Sequence, residues 1–157
     1  MLSLISFATK GLAAAIALRR LRSISPSTAR QLFGATVAPI IDYASNIWSH
    51  ACKGRAAAAI NRVQRIGAQA IIGAFRTVAT AIAEAEASIR TVPERHKERT
   101  LKLWINISTL PISNPIKRID TANFRRFISP LQKIAKAYDT ISTADIETIY
   151  AYPVPPW

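Results

Sequence analysis

The segment from Arg55 to Gly73 constrains the fold most, because it is the most clearly amphipathic stretch of the chain. Its apolar positions recur in helical steps and share one face: Ile60, Val63, Gly67, Ala70 and Ile71. Arg55, Arg62, Arg65 and Gln69 fall on nearly the opposite face. The pattern predicts a helix over 55–72 that packs by its apolar face and ends at Gly73, a common C-terminal cap residue.

Helical periodicity also covers most of the remaining chain. Further helices are predicted over 3–22, from Ser25 to about His50, over 77–88, from Val92 to about 109, and from about Pro130 to Tyr138. Pro39 interrupts the second of these, so a kink or two abutting helices is expected there. The residues after Ile141 lack periodicity and end in Pro-Val-Pro-Pro-Trp. We therefore predict an all-α fold, an irregular bundle of five to seven helices with an extended Pro-rich C-terminal tail.

The charge balance points to an anionic partner. The chain carries 21 Lys and Arg against 9 Asp and Glu, a net charge of +12 over 157 residues. A field of this size attracts phosphate polyanions or anionic lipid, and it says little about fold. Arg outnumbers Lys by 14 to 7, and the planar guanidinium makes bidentate contacts with phosphate. The excess favours nucleic acid, although a merely cationic surface is the alternative.

Three groups of basic residues are candidates for phosphate contact. One predicted helix carries the first group, Arg55, Arg62 and Arg65, and another carries the second, Arg95, Arg99 and Lys102. The third group is Arg125 with Arg126. The two stripes could grip two backbones of a duplex. The alternative interpretation is that both are ordinary solvated helix faces.

The sequence offers no pattern for catalysis, metal binding or a cofactor. Cys52 is the only cysteine and is expected to be a packed or surface thiol, because His50 falls on a different helical face. His50 and His96 are far apart, and the five glycines are isolated. The nine acids form no carboxylate cluster suited to two-metal chemistry. We expect no catalytic residue, no metal site and no cofactor.

The N-terminal sequence allows two interpretations of localisation. Residues 1–41 hold five Lys and Arg and no acid, which is also typical of a mitochondrial transit peptide. Against this, their helical periodicity continues into the body of the chain. No apolar run reaches the length of a transmembrane helix. A nuclear or cytoplasmic location is the main expectation, and mitochondrial targeting is the minor one.

One run resembles a known family. The sequence STARQLFGATVAPIIDYASNIWSHA, Ser27 to Ala51, is similar to the region that follows the catalytic palm of non-LTR reverse transcriptases. In that family an amphipathic helix leads into a proline, an aromatic-Ala or aromatic-Gly step and a tryptophan, which here are Pro39, Tyr43-Ala44 and Trp48. The stretches Ile60 to Ile89, Val92 to Trp104 and Pro155 to Trp157 resemble the blocks that come next, up to a ribonuclease H domain in fungal elements.

The resemblance implies the thumb and connection region of an RNA-directed DNA polymerase from a fungal-type, LINE-like retrotransposon. Residues 1–110 would form a thumb-like helical domain, and 111–157 a connection segment leading toward an absent ribonuclease H domain. Expected partners are an RNA–DNA or DNA duplex and the palm and ribonuclease H domains.

The chain departs from the family because it contains no Asp-Asp pair, so no catalytic residue can be carried over and the fragment is expected to be inactive alone. Two alternatives stay open. One is a helical module for protein interaction or membrane-surface binding. The other is a non-functional remnant of a transposable element.

Overall fold

A computed structural model describes residues 2–21, 23–119, 128–142 and 146–150. The helices are α1 (Leu2–Arg20), α2 (Pro26–Leu32), α3 (Ala38–Ile41), α4 (Ser45–Trp48), α5 (Arg55–Ile72), α6 (Thr80–Glu86), α7 (Val92–Ser108), α8 (Pro115–Ile119) and α9 (Pro130–Ala137). A π-helical turn, Phe33–Val37, joins α2 to α3, and a 3-10 turn, Ser49–Ala51, follows α4. No strand occurs within the described ranges. The all-α prediction is confirmed.

The chain divides into two compact units, Met1–His96 and Lys97–Trp157. The division lies inside α7, whereas the sequence predicts a boundary between residues 110 and 111, after that helix. The reason lies in side-chain contacts, because Arg95 and His96, in the first turns of α7, bond to Asp42. A helix that reads as one segment in the sequence therefore contributes to two packing units.

The first unit is built around α5, on which α1 and α6 pack. The α5 core face contains Ile60, Val63, Gly67 and Ile71, all predicted from the periodicity. Helix α5 spans the predicted residues, and Gly73 closes it in the left-handed conformation with φ of 64°. The amphipathic pattern was sufficient to predict this helix, because its apolar residues form one continuous face that packs against the core.

Small residues allow close approach at two points of the core. A Cβ atom added to Gly11 would lie 2.5 Å from the Ile41 side chain, and one added to Gly67 would overlap the ring of Phe33. The buried stripe of α1 runs through Ala8, Gly11, Ala15 and Leu18. Leu21, near the end of the predicted helix over 3–22, is half exposed and does not belong to this stripe.

The expected irregularity at Pro39 takes the form of a π-helical turn. Proline lacks the amide that would bond to the carbonyl four residues back, and its ring would strike that carbonyl. The amide of Ala38 instead bonds to the carbonyl of Phe33, five residues back, which widens the turn just before the proline. Pro39 thus shifts the helix register while α3 continues for one further turn.

The second unit contains the rest of α7 with α8 and α9. Ser129 and Gln132 form a capping box at the start of α9, and the rings of Trp104 and Tyr138 contact each other at 5.6 Å. The described part of the C-terminal segment, 146–150, has no regular secondary structure, and the Ile149 amide donates to the Thr109 carbonyl at 2.8 Å. The Pro-rich end after residue 150, like Arg125 and Arg126, lies outside the described residues.

Candidate nucleic-acid interface

Five arginines meet in one cleft of the first unit. Arg19 and Arg20 come from the last turn of α1, Arg62 and Arg65 from the middle of α5, and Arg76 from the loop after α5. The cleft encloses about 430 Å³, and its remaining lining residues are Ile16, Ile66 and Gln69. We call it the basic cleft.

The positions of these arginines follow from how α1 and α5 pack. Because Val63 is buried against the core, its neighbours Arg62 and Arg65 emerge on the outer side of α5, one turn apart. Arg19 and Arg20 stand at the C-terminal end of α1, where cations also interact favourably with the helix dipole. Since α1 packs along α5, the two pairs come to line the same cleft.

The basic cleft lacks internal neutralisation. Among the residues that the structure describes, its lining contains five arginines and no acid. Among the described residues, none of these guanidiniums forms an ion pair. The first unit holds 12 Lys and Arg against 4 acids, a balance of +8 (12 − 4). A concave surface with this charge concentrates anions.

The other predicted site residues that the structure describes do not line this cleft. Arg55 is exposed at the start of α5, two turns before Arg62, and does not line it. Arg99 and Lys102 are exposed residues of the second unit, where the Lys102 ammonium pairs with Glu98 at 3.0 Å. Of the six predicted residues that the structure describes, it therefore brings together one pair, Arg62 and Arg65, with three arginines that were not predicted.

Arg95 lies in the interior of the first unit rather than on an outward stripe. Its guanidinium donates to both carboxylate oxygens of Asp42, at 2.7 and 3.1 Å, and to the Gln64 side chain at 3.0 Å. Asp42 is 0 % exposed, and the His96 ring lies 3.1 Å from its Oδ1 atom. Helical spacing alone placed Arg95 with Arg99, but a buried carboxylate holds it inward.

The Asp42 carboxylate stays charged in this environment. Burial raises its pKa, but hydrogen bonds from His96 and Arg95, together with their charges, outweigh burial and hold the pKa below its ordinary value of 3.8. The network also includes the Arg90 carbonyl, which accepts from Gln64 at 3.0 Å and from Arg95 at 2.8 Å. We call Asp42, Gln64, Arg95 and His96 the Asp42 network.

The network lies at a corner formed by the motif from Pro39 to Trp48. Ala44 adopts the left-handed conformation, with φ of 50° and ψ of 27°, and reverses the chain after α3. The Trp48 indole N–H donates to the Tyr43 carbonyl at 2.7 Å, and the Trp48 ring meets the His96 ring edge-on. Thr91 and Glu94 form a capping box at the start of α7, which presents Arg95 and His96 to this corner.

The sequence contained partial signals for the cleft residues that were not predicted. Arg19 and Arg20 were visible as a basic pair in the last turn of a predicted helix, but their neighbourhood to α5 depends on tertiary packing. Gln69 was predicted on the polar face of α5, yet it is buried. Its amide donates to the Arg76 and Val78 carbonyls, at 3.4 and 3.1 Å, so that it fixes the loop that carries Arg76.

Three further observations concern metal binding, the Cys52 thiol and membrane-spanning helices. In the described ranges, no three His, Cys, Asp or Glu side chains come together as a metal site would need. Burial raises the pKa of the Cys52 thiol, which fits a packed thiol. No helix in the described part of the chain is long and apolar enough to cross a membrane.

Comparison with known proteins identified no relative of this chain. No protein family matches the chain, and neither does any curated protein sequence or solved structure.

Proposed function

We propose that the protein binds the phosphate backbone of a nucleic-acid duplex through the basic cleft. The observation that carries this proposal is the convergence of five arginines from α1, α5 and the following loop in one cleft whose described lining holds no carboxylate. Like charges brought together oppose folding unless an anion neutralises them. A chain of phosphates provides that neutralisation, and guanidinium groups suit it geometrically.

Binding of this kind does not depend on base sequence. Phosphate contacts position a protein on nucleic acid, whereas base edges specify sequence. The lining of the basic cleft is dominated by arginines. Each phosphate neutralised releases counterions, so the affinity falls steeply as salt rises.

We further propose that the chain is a non-catalytic part of a fungal-type non-LTR reverse transcriptase, the thumb and connection region that holds the template–primer duplex. The resemblance at Pro39, Tyr43-Ala44 and Trp48 supports this origin. The left-handed conformation of Ala44 supplies a physical reason for the glycine that the family also uses at this position, because glycine adopts that conformation without the strain that a Cβ atom brings. Palm and ribonuclease H domains are the protein partners that follow from this proposal.

Fluorescence anisotropy with labelled blunt duplexes tests the binding function. The double variant Arg62→Gln/Arg65→Gln should weaken binding to RNA–DNA and DNA duplexes of any sequence. It should also flatten the plot of log affinity against log salt by about one to two units, since each phosphate contact contributes nearly one unit. Helix content should barely change, because Gln is nearly as good a helix former as Arg.

A control variant separates the cleft from net charge. Lys133→Gln/Lys136→Gln removes the same charge from two exposed residues of α9 in the second unit, and its salt slope should stay close to that of the parent. If both double variants lose affinity equally, binding is a non-specific response to charge. If neither changes affinity, the protein-interaction, membrane-surface or remnant interpretation leads.

A further inference from the structure

A second cleft adjoins the basic cleft. It encloses about 830 Å³ and shares Arg19, Gln69 and Arg76 with the basic cleft. Its other lining is mainly apolar and comes from the connection between α1 and α2 and from the end of α5 with its loop; it includes Leu21, Ile24, Pro26, Ile72 and Phe75. Both volumes lie in the range of small-ligand sites, roughly 300–1,000 Å³. We call this second site the apolar cleft.

Phe75 is the most exposed large apolar side chain among the described residues, at 84 %. Single exposed apolar residues are common, and exposure alone indicates no function. Phe75 differs in its position, because it lines the apolar cleft and directly precedes Arg76, which lines both clefts.

The loop that carries Phe75 is held on both sides. Gly73 leaves α5 in the left-handed conformation, and the Ala74 amide donates to the Gln69 carbonyl at 3.0 Å. The Val78 amide donates to the Phe75 carbonyl at 3.2 Å, and the buried Gln69 amide donates to the Arg76 and Val78 carbonyls. These bonds fix the backbone around an aromatic ring that is left open to solvent, which suits a stacking platform.

We propose that the apolar cleft accepts an unpaired nucleobase stacked on Phe75, while the basic cleft holds the adjoining phosphates. This inference rests on the proposed function and adds the form of the substrate. A nucleotide combines an uncharged aromatic face with an anionic phosphate, and the two clefts offer the complementary pair of surfaces side by side. Bases inside a duplex are already stacked, so only a single-stranded extension or junction can supply one. Stacking of this kind tolerates any base.

Anisotropy with the full chain tests the inference by comparing a blunt duplex with the same duplex bearing a short single-stranded overhang. The parent protein should bind the overhang duplex more tightly. Phe75→Leu keeps an apolar side chain but removes the aromatic face, and it should weaken overhang binding roughly 5- to 150-fold. Affinity for the blunt duplex should stay within about twofold, and Phe75→Trp should restore overhang binding.

A spectroscopic readout reports on the ring itself. The fluorescence of 2-aminopurine in the overhang should be quenched by the parent and by Phe75→Trp, and not by Phe75→Leu. Because Phe75 is exposed, its variants should keep the parent's circular dichroism spectrum, which excludes misfolding as the cause.

Equal affinity of the parent for blunt and overhang duplexes, or unchanged overhang binding by Phe75→Leu, would overturn the stacking inference, and would mean that the apolar cleft serves another occupant. The proposed function fails separately, through unchanged duplex binding by Arg62→Gln/Arg65→Gln.

Discussion

Arginine has opposite surroundings at two places in the first unit. In the Asp42 network, Arg95 is bonded to a fully buried carboxylate, a side-chain amide and a backbone carbonyl. In the basic cleft, five arginines share one concave surface, and no carboxylate is among its lining residues in the described part of the chain. The same side chain therefore completes the interior at one site and leaves charge for an external anion at the other.

This difference distinguishes an arginine with a structural role from arginines with a binding role. A buried ion pair is costly to form and much more costly to break, so its loss should appear in the free energy of unfolding. Exposed arginines without an internal partner contribute little to stability, so their loss should appear in binding. Variants of the Asp42 network should thus change the free energy of unfolding and leave binding unchanged, and variants of the basic cleft should do the reverse.

The largest effect on stability is expected from Asp42→Asn. The substitution leaves the part-buried guanidinium of Arg95 without a counter-charge, and breaking such a pair from one side costs about 3–5 kcal/mol in the free energy of unfolding. Urea denaturation followed by circular dichroism measures it. The same measurement on Arg62→Gln/Arg65→Gln should give a change below about 0.5 kcal/mol. Similar losses for both variants would remove the distinction between the two sites.

The pH dependence of stability sharpens the assignment to Asp42. The folded-state pKa of Asp42 lies below its ordinary value of 3.8, so its contribution is fully present above that value and is lost as pH falls through the lower, folded pKa. Unfolding free energies measured from neutral pH down to about pH 2 should decline more steeply below pH 4 for the parent than for Asp42→Asn. Parallel curves for the two proteins would show that the carboxylate is not the titrating group.

The smallest effect concerns the corner that presents Asp42 to Arg95. Ala44 occupies the left-handed region, which costs a non-glycine residue roughly 1–2 kcal/mol. Glycine removes this strain but loses about 0.5–1 kcal/mol of chain entropy on folding. Ala44→Gly should therefore raise the free energy of unfolding by about 0.5–1 kcal/mol.

A glycine control at a helical position distinguishes relief of strain from a general effect. Ala58→Gly, on the exposed side of α5, should lower the free energy of unfolding by about 1 kcal/mol. If Ala44→Gly also destabilises the protein, the corner is not strained at Ala44, and the explanation for a glycine at this position of the motif is lost.

Local patterns in the sequence were enough to predict the three longest helices, α1, α5 and α7. The apolar period of α5 and the glycine at its end predicted Arg55–Ile72, and Ser25-Pro26 predicted the start of α2, where Ser25 caps the Thr28 amide at 3.1 Å. Pro39 predicted an irregularity, although not its π-helical form. These features depend on residues within about one or two turns, which is the range over which helix formation and capping are decided.

Tertiary structure decided which charged side chains are available to a partner. Helical spacing grouped Arg95 with Arg99 and Lys102, but Asp42, more than fifty positions earlier, holds Arg95 inside. The packing of α1 on α5 added Arg19 and Arg20 to Arg62 and Arg65, and the loop held by Gln69 added Arg76. A periodic pattern fixes the face of a helix on which a residue lies. What that face meets depends on contacts between distant segments, and for a charged residue that contact determines whether its charge is neutralised inside the protein or offered to a ligand.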